Sequence, residues 1–131
     1  CLSDKPMLGH ITTFGGHPVI AAAALATLKE ITNSKLMLAA LEKESFIRSK
    51  LKHPLITEIR GKGLMLCALT KHADVTNKVV MMAMKKGLIL FWLLYEPKAI
   101  RITPPLNISM KELEKGCDII IEVLDKIYKN C

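Results

Sequence analysis

The first stretch whose residue types suit chemistry is residues 10–18, which read H-I-T-T-F-G-G-H-P. The hydroxyls of Thr12 and Thr13 and two glycines directly precede an alanine-rich segment with helical spacing, which Pro18 is well placed to begin. A helix N-terminus carries partial positive charge and free backbone N–H groups, so hydroxyls at that place suit a phosphate group. The alternative is an ordinary helix start whose glycines serve only the turn, and residue types alone favour it.

The second stretch is residues 100–106, which read I-R-I-T-P-P-L. Period-two alternation puts Ile100 and Ile102 on one side of a strand and Arg101 on the other, and the Pro-Pro pair fixes the backbone beyond. A guanidinium held on a rigid strand end is suited to bind a carboxylate through two parallel hydrogen bonds. On spacing alone, a solvated or salt-bridged arginine is the simpler interpretation.

Other reactive residue types form no recognisable site. The four histidines have no mutual spacing that suits a metal, and the four cysteines lie far apart without a C-x-x-C pair. The sequence contains no P-loop, G-x-G-x-x-G, H-E-x-x-H or nucleophile-elbow pattern. We therefore predict no metal site, while a Ser or Cys nucleophile with a histidine partner stays open.

Periodicity and capping predict the elements that must position these residues. Helical spacing predicts three helices, over residues 18–31, 35–51 and 75–86. Alternating or short apolar runs predict four strands, over residues 56–60, 64–69, 88–94 and 99–103. A turn is predicted at residues 96–98, and a capping box at Ser109 begins a last helix with a full-length apolar stripe. The order predicts an α+β domain in which a small sheet of about four strands packs against helices.

Composition narrows the class of protein. A chain of 131 residues is a natural size for one domain, and half of its residues are apolar. The formal charge of +7 raises the question of nucleic acid, but the basic residues are scattered in ones and twos, so we expect no nucleic-acid partner. Widely spaced cysteines, no signal peptide and no apolar run long enough to span a bilayer predict a cytoplasmic protein without a membrane partner. The loop-like start at Cys1 suggests a piece of a longer protein, in which case the apolar face of the first helix should be exposed.

Taken together, the motifs resemble those of the class III aminotransferases, the family of acetylornithine, ornithine and 4-aminobutyrate aminotransferases. Residues 10–18 look like its H-x-[ST]-T-[FY]-G-G-N-P stretch, residues 60–65 resemble its R-G-x-G-L-[ML] turn, and residues 101–106 resemble its R-[ILF]-x-P-P-L signature. The three occur in the family's order and cover nearly the whole chain. One departure is His17, where the family usually has Asn, because imidazole is a poorer helix cap.

The resemblance implies the C-terminal small domain of a fold type I pyridoxal-phosphate (PLP) aminotransferase over residues 18–131, preceded by a loop segment over residues 1–17. It implies amino transfer from an amino acid or amine to a keto acid such as 2-oxoglutarate, in a homodimer with shared active sites. Thr13 would hydrogen-bond the PLP phosphate in the partner subunit's active site. Thr12 would line the substrate side, and Arg101 would receive the substrate α-carboxylate.

The same resemblance places the cofactor lysine, the pyridinium aspartate and the ring-stacking aromatic upstream of the T-F-G-G stretch. The chain would therefore contain no catalytic residue, and the fragment alone should be inactive. The rival hypothesis is a stand-alone anion-binding or interaction domain, which would use Arg101 and the Thr12-Thr13 loop without turnover. A nucleic-acid-binding domain is the weaker third option.

Overall fold

The computed structural model describes residues 13–129, which contain four α-helices and four β-strands. In chain order they are α1 (Pro18–Asn33), α2 (Leu36–Lys50), β1 (Ile56–Lys62), β2 (Met65–Thr70), α3 (Ala73–Lys85), β3 (Phe91–Leu93), β4 (Glu96–Ile102) and α4 (Met110–Tyr128). All eight predicted elements are present, in the predicted order.

The four strands form one antiparallel sheet in the order β1-β2-β4-β3. Successive side chains of a strand point to opposite faces of the sheet. One face, which carries Leu66, Ala68, Ile100 and Ile102, is buried in a core shared with α2, α3 and α4. The predicted α+β class, with about four strands packed against helices, is confirmed.

Helix α4 contributes the most regular part of this core. Its buried residues recur at three- and four-residue spacing and are Leu113, Cys117, Ile120, Val123, Leu124 and Ile127. At its start the Glu112 N–H donates to the Ser109 hydroxyl (3.2 Å), and the Ser109 N–H donates to the Glu112 carboxylate (3.1 Å). This is the predicted capping box, and it fixes where the helix begins after the 101–106 segment.

Polar groups of α2 hold the turn between β1 and β2. Arg48 donates to the carbonyl oxygens of Ile59 (2.6 Å) and Gly61 (2.9 Å). Its Nε also donates to Glu44 (2.9 Å), which in turn accepts the N–H of Gly63 at 2.6 Å. That backbone bond is the main reason why the pKa of Glu44 lies below its ordinary value.

Gly61 is required by the path of this turn. Its φ of +114° belongs to a region that side-chain-bearing residues rarely adopt. A Cβ atom at this position would also overlap the Met65 carbonyl oxygen of the facing strand. The first glycine of the R-G-x-G turn is therefore a geometric necessity of the β1–β2 hairpin.

The β3–β4 hairpin differs from the sequence prediction. The turn was expected at residues 96–98, but β4 begins at Glu96 and the connection is Leu94 and Tyr95. These two residues lack the Gly, Asn or Asp that marks most two-residue hairpin turns. Pro97 lies instead inside β4, at a shift in pairing register opposite β3, and such irregular places tolerate a residue without an N–H.

The chain divides into two compact units, Cys1–Lys35 and Leu36–Cys131. The first contains α1, none of whose residues is buried, and its apolar side chains Val19, Ile20, Leu25 and Leu28 are exposed. This exposure confirms the prediction for the first helix. The second unit contains α2 to α4 and the whole sheet.

Candidate substrate-binding site

Four side chains form a row across the sheet face opposite the helices. The strand register pairs Arg60 with Cys67, Cys67 with Arg101, and Arg101 with Phe91. Residues directly opposite each other in an antiparallel pair project to the same face. The row therefore crosses all four strands, and the arginine predicted to bind a carboxylate lies inside it.

Arg101 lies over the ring of Phe91, with its guanidinium carbon 5.3 Å from the ring centroid. This cation–π contact orients the guanidinium without using its N–H donors in hydrogen bonds to an acceptor. Arg101 is exposed, and within residues 13–129 it forms no hydrogen bond or ion pair. The guanidinium is thus held in place while its donors remain available.

The other two arginines of the sequence are used inside the protein. Arg48 binds two carbonyl oxygens of the β1–β2 turn, as described above. Arg60 donates through Nε to one carboxylate oxygen of Glu58 (2.9 Å), and its Nη2 lies 2.8 Å from the same oxygen in an ion pair. That hydrogen bond is the main reason why the pKa of Glu58 lies below its ordinary value. Of the three arginines, Arg101 alone makes no hydrogen bond or ion pair within residues 13–129.

A cleft of about 400 Å³ opens beside Arg101, between the ends of β3 and β4 and the first turns of α4. Arg101, Phe91 and the Pro104-Pro105 pair lie among its lining residues, and deeper apolar side chains come from the core. Cys117 of α4 also lines it. Burial raises the pKa of the Cys117 thiol to about 11, so this group is a neutral, unreactive part of the wall.

The segment that follows Arg101 is anchored by a buried lysine. Lys43 of α2 donates to the carbonyl oxygen of Leu106, which directly follows Pro104 and Pro105, at 2.7 Å. Within residues 13–129 it is the one buried lysine, and one of its three ammonium donors makes this bond. It is therefore a structural group, and it keeps the cleft wall at a fixed distance from α2.

Thr13 lies in the other unit, in the turn of residues 13–16 that precedes α1. It is exposed, and among the described residues its hydroxyl has no hydrogen-bond partner. Helix α1 begins at Pro18 as predicted, and His17 makes no side-chain cap, in agreement with the expectation for an imidazole. Thr12 lies outside the described residues. Thr13 and Arg101 belong to separate compact units.

Sequence reasoning did not identify Phe91 as the partner of Arg101. The pairing depends on the register of the β3–β4 hairpin, and the turn of that hairpin had been placed too late in the chain. The cleft was missed for a related reason, because it is formed by three segments that are distant in sequence. Within residues 13–129, no three His, Cys, Asp or Glu side chains group as a metal site would require, and no helix could span a bilayer.

The available donors can be compared with what PLP and its substrates need. A free hydroxyl ahead of a helix N-terminus is suited to a phosphate, and a free, oriented guanidinium is suited to a carboxylate. Taken separately, Thr13 is thus chemically suited to a phosphate and Arg101 to a carboxylate. Lys43, the buried lysine of the described residues, donates a hydrogen bond to the Leu106 carbonyl oxygen.

Comparisons with known proteins agree with this interpretation. A family model described as aminotransferase class-III matches residues 3–124. The acetylornithine aminotransferase of Caldanaerobacter subterraneus subsp. tengcongensis is 32% identical over 123 residues, which cover 90% of this chain and 30% of that protein. A leucine/methionine racemase of Thermococcus litoralis is 36% identical over 130 residues, covering 89% of this chain and 29% of that protein.

Solved structures give the same result. The ornithine aminotransferase from Toxoplasma gondii superimposes with a TM-score of 0.80 at 28% identity, covering 93% of this chain and 30% of that chain. The present chain therefore spans about 30% of the length of these relatives. The family predicted from three short motifs is confirmed, and its members are PLP-dependent enzymes. The chain belongs to the class III aminotransferase family.

Proposed function

We propose that the protein to which these residues belong transfers an amino group from an amino acid or amine to a keto acid such as 2-oxoglutarate, with PLP as cofactor. The observation that carries this proposal is the oriented guanidinium of Arg101, which has no acceptor within residues 13–129, in a chain of the class III aminotransferase family. The residues described here would bind and orient, and the remainder of the protein would supply the chemical centre.

In this proposal Arg101 receives the α-carboxylate of the substrate. A guanidinium offers two parallel N–H donors that match the two oxygens of a carboxylate. Its position on β4, between Cys67 on one side and Phe91 on the other, limits the directions in which it can point. A bound carboxylate would find the donors already arranged, which lowers the entropy cost of binding.

Thr13 is proposed to hydrogen-bond the phosphate of PLP, in the active site of the partner subunit of a homodimer. The exposure of its hydroxyl and its place before the N-terminus of α1 support this role. Thr12 is proposed to line the substrate side of the same site. When bound, PLP supplies an electron sink that makes the substrate Cα–H acidic enough for amino transfer.

We also propose that these 131 residues alone do not catalyse amino transfer. PLP chemistry needs a lysine that binds the cofactor covalently and a partner for its pyridinium nitrogen. The one buried lysine among the described residues is bound to the Leu106 carbonyl oxygen. Recognition groups without such a centre can bind anions but cannot move an amino group.

Two alternatives are distinguished by simple tests. The similarity to a racemase favours racemisation as a second candidate function, and that reaction would need no keto acid. The stand-alone anion-binding domain predicts a start codon next to Cys1 in the gene, whereas the enzyme predicts an open frame upstream that encodes a cofactor lysine. A cytoplasmic location and the absence of nucleic-acid, membrane and metal partners remain part of the enzyme proposal.

The experiment is an amino-transfer assay on the full-length protein loaded with PLP. Amino acids and amines are supplied one at a time with 2-oxoglutarate, and formation of glutamate is measured. We expect glutamate with at least one donor, and none when the 131-residue chain replaces the full-length protein. Inversion of an amino acid without glutamate formation would favour the racemase, and turnover by the short chain would contradict the assignment of roles.

A further inference from the structure

We propose that Arg48 of α2 closes the β1 edge of the sheet against a further strand, above all against β1 of a second copy of this chain. Strand β1 is the first in the order β1-β2-β4-β3, so one of its edges faces no other strand of the described residues. Such an edge presents backbone N–H and C=O groups that can pair with another chain. The inference is independent of the proposed function and concerns which assemblies the protein can form.

The pairing of β1 with β2 shows which backbone groups face this edge. A two-residue turn joins the strands between Lys62 and its partner Met65. The pair that closes such a turn is hydrogen-bonded, and hydrogen-bonded pairs alternate with pairs whose backbone groups point away from the partner strand. Counting back from Lys62, Gly61 and Ile59 therefore direct their N–H and C=O groups to the open edge.

The guanidinium of Arg48 is bonded to both of these outward carbonyl oxygens. Its Nη1 donates to the carbonyl oxygen of Ile59 at 2.6 Å, and its Nη2 donates to that of Gly61 at 2.9 Å. Its Nε donates to Glu44, one helical turn earlier, and this third bond fixes the plane of the guanidinium. A strand that arrived at this edge would need the same two carbonyl oxygens for its own N–H groups. It would have to displace the guanidinium first.

Two other features of the sheet edges act in the same direction. The pairing of β1 shifts between Ile56 and Glu58, so Thr57 interrupts the regular edge. Strand β3 (Phe91–Leu93), at the opposite edge of the sheet, is three residues long. Short or irregular edge strands are a common means by which proteins avoid edge-to-edge pairing. Arg48 covers the regular part of β1, which neither of these features protects.

The test measures binding of a fluorescent peptide with the sequence of residues 55–62 to the full-length protein, by fluorescence anisotropy. We expect no saturable binding by the parent protein. Arg48→Met should bind the peptide at least about tenfold more tightly, because two carbonyl oxygens become free to accept hydrogen bonds. Arg60→Met is the matched control, since Arg60 lies on the same strand but bonds to the Glu58 side chain. It should bind as weakly as the parent protein.

A second peptide identifies the kind of contact. In this peptide the backbone amides along both edges are N-methylated, so it has no N–H donors for strand pairing. Arg48→Met should not bind it. Equal binding of the two peptides by Arg48→Met would show that side chains make the contact, and the inference would be wrong.

Loss of stability alone must be separated from loss of the edge protection. Val123→Ala removes buried methyl groups from α4 and destabilises the core without changing Arg48 or β1. It should not bind the peptide. If Arg48→Met does not fold, Arg48→Gln takes its place, because the shorter amide side chain cannot bond both carbonyl oxygens as the guanidinium does. Circular dichroism verifies the fold of each variant.

Each outcome decides for or against the inference. Tighter binding by Arg48→Met than by the parent protein, Arg60→Met and Val123→Ala supports it. Equal binding by the parent protein and Arg48→Met, including no binding by either, would overturn it. Equal binding by Val123→Ala and Arg48→Met would overturn it too, since destabilisation alone would then explain the result. None of these outcomes depends on amino transfer.

Discussion

Arg60 and Arg101 lie in the same row of one sheet face, on either side of Cys67, yet their surroundings differ. Arg60 forms an ion pair with Glu58 of its own strand. The backbone groups of the nearby β1–β2 turn are hydrogen-bonded by Arg48 and Glu44. Arg101 has an aromatic ring beside it and no acceptor within residues 13–129. The comparison teaches that the β1–β2 side satisfies its own polar groups, whereas the β3–β4 side leaves a guanidinium without an acceptor within residues 13–129.

The largest expected effect is on the β1–β2 side, from Gly61→Ala. The added Cβ would overlap the Met65 carbonyl oxygen at a φ of +114°, so we expect a loss of about 3 kcal/mol or more of unfolding free energy. Urea denaturation followed by circular dichroism measures it. Gly63→Ala is the matched control, because its Cβ would have room and only its φ of +59° is unfavourable, at about 1–2 kcal/mol. Equal losses would show that the overlap is relieved by movement of the turn.

The second effect compares two arginines directly. Arg48→Met removes the donors to the carbonyl oxygens of Ile59 and Gly61, and we expect it to lower the unfolding free energy by about 2–3 kcal/mol. Arg101→Met should change it by less than about 0.5 kcal/mol, because no acceptor is left unsatisfied. The same urea titration reports both. If Arg101→Met lowered the unfolding free energy as much as Arg48→Met, Arg101 would be a residue that stabilises the fold.

The third effect has the opposite sign. Gly116→Ala should raise the unfolding free energy by about 0.5–1 kcal/mol, since alanine is the better helix former and its Cβ fits beside Leu88. Thermal unfolding would show a higher Tm than that of the parent sequence. A lower Tm would mean that the helix needs this glycine for packing.

The smallest effect concerns the Arg60–Glu58 pair. Its hydrogen bond to Arg60 holds the pKa of Glu58 below its ordinary value, so this carboxylate stabilises the fold above about pH 4.5 and loses that contribution as the pH falls through its lowered pKa. In Glu58→Gln the unfolding free energy should therefore decrease slightly less steeply below pH 4.5. At pH 7 it should differ little from that of the parent sequence, because the pair is exposed. Stability measured between pH 7 and 3 tests this, with Glu42→Gln as an exposed control.

The sequence predicted the elements well because their signals are local. The apolar stripe of α4 and the Ser109 capping box each lie within a few turns of chain, and both are present in the structure. The candidate Arg101 was also visible, since strand alternation exposes it. Its partner Phe91 was not, because the Leu94-Tyr95 turn has no marker residue and the register could not be derived. The cleft depends on three separate segments, and such a shape has no one-dimensional signature.

The central claim is that Arg101, and not Arg60, receives the substrate carboxylate. The most direct measurement is kcat/KM of the full-length holoenzyme and its Arg101→Met and Arg60→Met variants, with the best α-amino-acid donor and with the corresponding amine that lacks the carboxylate. The account predicts that Arg101→Met lowers kcat/KM about 100-fold or more for the amino acid and about threefold or less for the amine. Arg60→Met should change both by about threefold or less. Equal losses for the two donors in Arg101→Met, or a larger loss in Arg60→Met, would contradict it.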